Sequence, residues 1–430
     1  MLVKSLLKKL LRVGNRVVIE GSWFETLADG DQVQIVSVRL RRRQTKRGLC
    51  GRCGRLSPGH DQGGRPQRRR RRWRALDHGT TRVFLEAAAP RVDCTVHGPT
   101  AVEVPWARHQ VGFTRDFEDQ VAWLAVHSSK SAIEKLMRIA WRTVGAIIDR
   151  VCADARARAD PLDGLVRIGI DEISYRKGHR YLTVVVDHDS GRLVWAAPGR
   201  DKATVKKFFD ELGKSRTFKI RLVSADAANW IGDVVRGRCL NAKLTMDAFH
   251  VVAWATDALD VVRRQVWNDA RRAGQTAVAK DLKGARYALW RNPEDLSVRQ
   301  TAKLADIART NRRLYRAYLL KEQLRQVFSL GGQAGIDLLD RWLAWAQRCR
   351  IESFVDLGRR IKRHRAAIDQ TLLTGTGNAL VESTNTKLRV IHRRAYGFKT
   401  PEAMIALGML ALGGLCPDLP GRSQPLTTAT

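Results

Sequence analysis

Between residues 165 and 250 apolar and polar positions alternate in short runs. In "VRIGID", Val166, Ile168 and Ile170 alternate with Arg167, Gly169 and Asp171, the period of a strand with one face buried. The stretch "RIGIDEISYRKGHRYLTVVVDHDSGRLV" thus predicts a short strand ending at Asp171, a turn, a second strand, another turn and a third strand. A helix over 202–213 follows, then a strand, "IRLVSAD", ending at Asp226 just before a helix that begins in "AANWIGDVV". From 114 to 151 the period lengthens. "RDFEDQVAWLAVHSS" reads as one amphipathic helix, and "KSAIEKLMRIAWRTVGAIIDRV" as helix, short turn, helix. "ADARARADPLDG" is a linker. Residues 251–368 are helical and rich in arginine and tryptophan; a glycine turn, "LTGTGNAL", then opens a basic helix, "VESTNTKLRVIHRRAYGF". At the other end, residues 1–48 alternate weakly and predict a small β piece. "CGRCGRLSPGHDQGGRPQRRRRRWRALDHG" predicts mostly loop, and "TRVFLEAAAPRVDCTVHG" a strand pair. No internal repeat is seen.

The chain has 430 residues, room for two to four domains, and its 44% hydrophobic content suffices for buried cores. Charge changes the picture. Lysine and arginine number 77 against 43 acids, a net +34, which points to a polyanionic partner, nucleic acid first and a membrane surface second. The N-terminal "MLVKSLLKKLLRVG" is basic and amphipathic, without the apolar core and cleavage site of a signal peptide. The tail "AMIALGMLALGGLC" is too short to span a bilayer and reads as a buried helix, so a cytosolic protein is expected. Seven cysteines, odd in number and sparsely spaced, argue against a disulfide framework.

Cys50-x2-Cys53 and Cys94-x2-His97 form two tight pairs of soft and imidazole ligands, the pattern of a closed structural Zn²⁺ site; His60 and His78 are alternative ligands, and a chance CxxC is the plain alternative. Arg68, Arg69, Arg70, Arg71, Arg72 and Arg74 surround Trp73 and are candidates for DNA phosphate contact, against the reading of a solvated loop. The helix pair over 130–151 could lay its second helix in a major groove, with Arg138, Arg142 and Thr143 as polar contacts; an ordinary helical hairpin would look similar. The helical segment holds Trp254, Trp267, Trp290, Trp342 and Trp345; Trp342 and Trp345, three apart on one helix face, are expected in a core, the alternative being that one aromatic stacks on an unstacked base.

Three acids carry the chemistry. Gly169 leaves room beside Asp171 for something bulky. Asp226 ends its strand, although it could equally cap the following helix, where Asn229 competes. Glu382 borders the stripe of Val381, Thr384, Leu388 and Ile391, beside Asn385 and Arg389. Alone each acid is ordinary. Together, in so basic a chain, they point to oxygen ligands for two Mg²⁺ (or Mn²⁺) ions acting on a phosphodiester. Lys387, Arg389, Arg393 and Arg394 on the same helix are further DNA-contact candidates.

These elements resemble the ribonuclease H-like core of DDE transposases. More specifically, "CGRCG", "CTVHG", "VEVPWARH", "FTRDFEDQVAWLA", "WRTVGAIIDRV", "GIDEISYRKGHRYLTVVVD", "SAD", "MDAFHVV" and "NALVESTNTKLRVIHRRAYGF" are similar to transposases of the ISL-three insertion-sequence family. The resemblance implies an α+β multidomain protein: a basic zinc module (1–110), a helix-turn-helix (111–158), a ribonuclease H-like core in two parts (160–250 and 371–430) and an all-α insertion (251–370). The insertion accounts for the 156 residues separating Asp226 from Glu382. It implies a catalytic, Mg²⁺-binding triad of Asp171, Asp226 and Glu382. "MDAFH" resembles an Asp-x2-His signature, placing Asp247 and His250 behind the metal ligands, against a plain helix cap with a packed histidine. The sequence departs from the pattern at His97, where many relatives have cysteine, and at "SADAANW". The implied activity is cleavage at terminal inverted repeats and strand transfer, on double-stranded DNA, by a homo-oligomer of at least two chains. The implied setting is the prokaryotic cytoplasm, in association with the nucleoid, away from membranes. The competing readings are a non-catalytic DNA-binding regulator, another ribonuclease H-fold nuclease such as a junction resolvase, and, more distantly, a membrane-surface protein.

Overall fold

The computed structural model describes residues 2–41, 47–60, 70–176, 178–225 and 229–422; Arg68, Arg69 and Asp226 lie outside them. The chain divides into two compact units, residues 1–159 with 415–430, and residues 160–414.

The first unit begins with α1 (Leu2–Leu10), β1 (Val17–Thr26), β2 (Gln32–Leu40), β3 (Arg47–Leu49) and β4 (Leu56–Pro58). β5 (Arg70–His78), β6 (Thr81–Ala88), β7 (Arg91–Cys94) and β8 (Gly98–Ala101) follow. Four of these strands form a sheet in the order β1-β2-β6-β5, and β3–β4 and β7–β8 are small hairpins. The arginine run departs from expectation here: from Arg70 onward it is a sheet strand. The reason is alternation plus neutralisation. Trp73 and Ala75 are buried in the sheet's core at 2% and 3% exposure. On the same strand Arg70 pairs with Glu20 and Glu86, Arg72 with Glu25 and Glu86, and buried Arg74 with Asp77. Three helices complete the unit: α2 (Arg115–His127), α3 (Lys130–Met137) and α4 (Trp141–Arg158). Thr114 caps α2 by accepting from the Phe117 amide. Buried Arg108 fixes the approach, donating to Glu118, Asp119 and Asp154 at 3.0, 2.7 and 2.9 Å.

The second unit runs β9 (Arg167–Arg176), β10 (Arg180–Asp187), β11 (Leu193–Pro198), α5 (Lys202–Leu212), α6 (Lys214–Thr217), β12 (Leu222–Ala225), α7 (Asn229–Arg238) and β13 (Lys243–Met246). The strands order as β11-β10-β9-β12-β13. β9 pairs antiparallel with β10 and parallel with β12, and β12 pairs parallel with β13. β9 does not end at Asp171. Ile173 and Tyr175 carry its buried face onward, and its pairing with β10 continues to Arg176. The last described partners of its parallel pairing with β12 are Ile170 and Ala225.

Eight helices follow: α8 (Ala248–Arg272), α9 (Thr276–Gly284), α10 (Arg286–Trp290), α11 (Val298–Thr310), α12 (Arg312–Leu330), α13 (Gly332–Arg348), α14 (Glu352–Arg363) and α15 (Arg365–Thr374). They pack around Leu259, Leu320, Leu339, Trp342 and Phe354. Trp342 is fully buried and donates its indole N–H to the Leu320 carbonyl at 2.7 Å, while Trp254, Trp267, Trp290 and Trp345 pack against this core. Two helices close the unit, α16 (Ala379–Arg394) and α17 (Pro401–Leu412). α17, the apolar tail, buries Met404, Leu407, Met409 and Leu410. Among the described residues no helix is long and apolar enough to cross a membrane.

Candidate active site and metal-ligand clusters

Helix α16 lies against β9 because Gly169 has no side chain. A Cβ there would sit 2.2 Å from Val381 Cγ2 and 3.0 Å from both His188 Nε2 and Ser224 Oγ. The room expected beside Asp171 is therefore filled by the helix that carries Glu382. That close approach delivers Asn385, 2% exposed, to the strand, where its Nδ2 donates to Asp171 Oδ2 at 2.7 Å. Asp171 Oδ1 accepts from the Glu172 amide at 2.8 Å. Asn385 Oδ1 is buried with no hydrogen-bond partner among the described residues.

Glu382, one turn earlier and exposed, meets a different pair. One ligand atom each from Asp247, His250 and Glu382 all lie within 4.8 Å of one another. Asp247 occupies the N-cap position of α8, yet its carboxylate makes no cap bond. It accepts from the Asn378 amide at 3.4 Å instead. So the plain cap reading holds for the position and fails for the side chain. Asn378 is itself buried and its carbonyl accepts from the Glu382 amide at 2.9 Å, starting α16. Its Oδ1 accepts from the Ser224 hydroxyl at 3.0 Å, and Ser224 Oγ lies 2.8 Å from His188 Nε2. Since the single hydroxyl proton goes to Asn378, His188 must donate through Nε2. Burial, then Arg167, push His188 below the ordinary histidine range, consistent with a neutral ring. This chain ties the β10–β11 turn, β12, and the starts of α8 and α16 together. Of its members the sequence flagged Asp247 alone. The available signal for Asn385 was an amide next to Thr384, bordering the buried stripe of Val381, Thr384, Leu388 and Ile391.

The first unit holds a second cluster. Cys50 Sγ and Cys94 Sγ lie 3.6 and 3.7 Å from His97 Nδ1, and Cys53 Sγ lies 3.7 Å from Cys94 Sγ. The edge of a tetrahedron with Zn–S bonds of about 2.3 Å is roughly 3.7 Å, so the four side chains fit one zinc ion. The amide of Val96, with that of His97, holds the Cys94 thiol down to about 6. Cys53 moves the other way: against the pull of the Arg55 amide, burial and the facing thiols of Cys50 and Cys94 raise it. Two facing thiols resist joint ionisation unless a cation lies between them. His60 and His78 are elsewhere; His78 Nδ1 is 2.7 Å from Gln34 Oε1.

Of the helix-turn-helix candidates, Arg142 is exposed on the first turn of α4 and Thr143 half-buried behind it. Arg138, also exposed, is already partnered, pairing with Asp77 and donating to the Thr80 carbonyl at 2.9 Å. Trp73 is core, and Arg70, Arg72 and Arg74 are matched to acids; Arg71 lies over the Trp73 ring, 5.4 Å from its centroid. On α16, Lys387, Arg389 and Arg393 are exposed and Arg394 half-buried.

Comparison with known proteins follows the same segments. Residues 168–407 match a family model described as transposase, residues 102–152 the helix-turn-helix domain of transposase family ISL3, and residues 46–97 a zinc finger of transposases IS204, IS1001, IS1096 and IS1165. The chain is 58% identical over 436 aligned positions, 97% of each chain, to the transposase for insertion sequence element IS1557 from Mycobacterium tuberculosis. It is 26% identical over 335 positions, 77% of this chain and 82% of the relative, to the transposase for IS1001 from Bordetella parapertussis.

Proposed function

This chain belongs to the ISL3 family of insertion-sequence transposases, and from that premise we propose how its residues divide the work. The second unit is a ribonuclease H-like core with an all-α insertion: three antiparallel strands continued by two parallel ones, then eight helices, then α16, support that reading. Asp171, Asp226 and Glu382 form the catalytic acids, with Asp247 and His250 behind them. The observation that carries this is the seating of α16. One helix ties Asp171 through Asn385 and presents Glu382 to Asp247 and His250.

The carboxylates of Asp171, Asp226 and Glu382 would hold Mg²⁺ or Mn²⁺, two ions per site. The unpartnered, buried Asn385 Oδ1 beside Asp171 suits a water on such an ion. Bound metal would supply Lewis-acid stabilisation of the phosphorane charge and a more acidic water. The chain's own part is to hold the acids in register and to exclude motion between β9 and α16. Exposed Lys387, Arg389 and Arg393 hold phosphates beside them. Water attacks phosphorus, the bond to the 3′ oxygen breaks, and a 3′-OH and a 5′-phosphate result. That hydroxyl then attacks a target phosphodiester in the same site. No protein nucleophile is needed. In the first unit Cys50, Cys53, Cys94 and His97 would hold a structural zinc, and α4, through Arg142 and Thr143, would read the terminal repeats. Pairing two ends calls for at least a dimer in the cytoplasm, on the nucleoid.

The test is Mg²⁺- or Mn²⁺-dependent cleavage of DNA carrying the element's ends. Asp171→Asn, Asp226→Asn and Glu382→Gln should each lower cleavage by roughly 10³-fold or more with duplex binding intact. Equal rates in wild type and variants would sink the triad, and binding without any wild-type cleavage would favour a regulator.

A further inference from the structure

The two elements that carry Asp171 and Glu382 meet again at their far ends. About 13 Å beyond Asp171 along β9, at roughly 3.3 Å per residue, and about 15 Å beyond Glu382 along α16, at roughly 1.5 Å per residue, they border a cleft of about 510 Å³. Tyr175, Arg176, His392, Tyr396, Phe398 and Lys399 line it. Nothing in the catalytic reading uses these residues.

The cleft is built unlike a packing defect. Tyr175, 7% exposed, forms a fixed aromatic floor. The His392 and Phe398 rings contact each other, with centroids 6.0 Å apart. Tyr396 is 94% exposed, and its backbone is left-handed at φ +53°, a conformation bulky side chains rarely adopt. An exposed ring on strained backbone gains nothing from packing within the chain. The turn nevertheless holds it firmly: the Tyr396 amide donates to the Arg393 carbonyl and the Gly397 amide to that of His392, both at 3.0 Å. Arg176 and Lys399, both exposed, have no acidic partner among the described residues. Cations alone would suit a duplex backbone. A presented aromatic face between cations suits a base and the phosphates on either side of it.

We propose that this cleft is a nucleotide subsite, resting on the catalytic reading above: it stacks one unpaired base of single-stranded DNA on Tyr396, with Arg176 and Lys399 on the adjoining phosphates. The cleft's distance from the acids, a few nucleotides at about 3.4 Å rise each, puts that base on the strand being cut or joined.

The experiment uses the full chain, with Ca²⁺ in place of Mg²⁺, and a short oligothymidylate carrying one 2-aminopurine. Stacking on a ring quenches the probe, and anisotropy gives the affinity. Wild type should quench it; Tyr396→Phe should preserve both readouts. Tyr396→Ala, at a side chain outside any core, should abolish the quench and weaken binding by roughly 5- to 100-fold. Replacing Arg176 and Lys399 together by glutamine should reduce the slope of log affinity against log salt by about 1.4. No quench by wild type, or an unchanged quench and affinity in Tyr396→Ala, overturns the proposal. The catalytic reading fails separately. Tyr396-dependent quenching without metal-dependent cleavage would uphold the subsite and reject the acids, and cleavage with Tyr396-independent binding would do the reverse.

Discussion

Gly169, Asn385 and His188 show how single residues set the site. Gly169→Ala would drive a methyl into Val381, 2.2 Å from its Cγ2. It should cost about 1–3 kcal/mol, measured by denaturant unfolding, and Gly169→Ala with Val381→Ala should recover much of it as a coupling energy. Asn385→Ala removes the donor to Asp171. Cleavage should fall about 10–100-fold, the metal concentration for half-maximal rate should rise, and duplex binding should hold. Burial keeps His188 below its ordinary range, so its neutral form is the folded form. The unfolded chain takes up that proton near pH 6.5. The stability contributed by the His188–Ser224–Asn378 chain is thus complete above about pH 6.5 and declines as pH falls through the lower, folded value. Thermal melts from pH 8 to 5 should show this loss, and His188→Gln should flatten it.

At the scale of elements, burial patterns explain what composition obscured. A run of arginines looked like loop because its charge was counted and its period was not. With Glu20, Glu25 and Glu86 opposite, every second arginine from Arg70 is neutralised, and Trp73 between them becomes core. Around it, the hairpins bearing Cys50, Cys53, Cys94 and His97 have strands of only three or four residues, and a zinc ion held by those side chains would supply folding energy. One zinc per chain is expected by elemental analysis. Cys53→Ser or chelation should lower the melting of this unit and spare the transition of the second; an unchanged first transition would remove the metal from the account. β9 teaches the complementary lesson. Its antiparallel side runs on to Arg176, whereas its last described parallel partners are Ile170 and Ala225, so Asp171 follows directly on the described parallel pairing.

For the whole molecule, the net charge of +34 predicts DNA binding that weakens steeply with salt. Log affinity for duplex should fall linearly with log salt, by about 0.9 for each phosphate neutralised. Many arginines are committed to acids within the fold, so the slope should be far below what the charge alone would give. Arg142→Gln should reduce it by about one, whereas Arg138→Gln, whose guanidinium faces Asp77, should change stability more than slope. The sequence by itself determined the family, the order of the main strands and helices of the second unit, the two ligand pairs of the zinc cluster and the acids at issue, because spacing and period are local properties of the chain. Only the tertiary structure decided which partners those residues meet. Glu382 facing Asp247 and His250, Asn385 holding Asp171, His188 reaching Asn378 through Ser224, and Tyr396 standing over a basic cleft all join positions far apart in the chain. Such pairings depend on how closely a helix can approach a strand, and that distance is set by packing at a residue as small as Gly169.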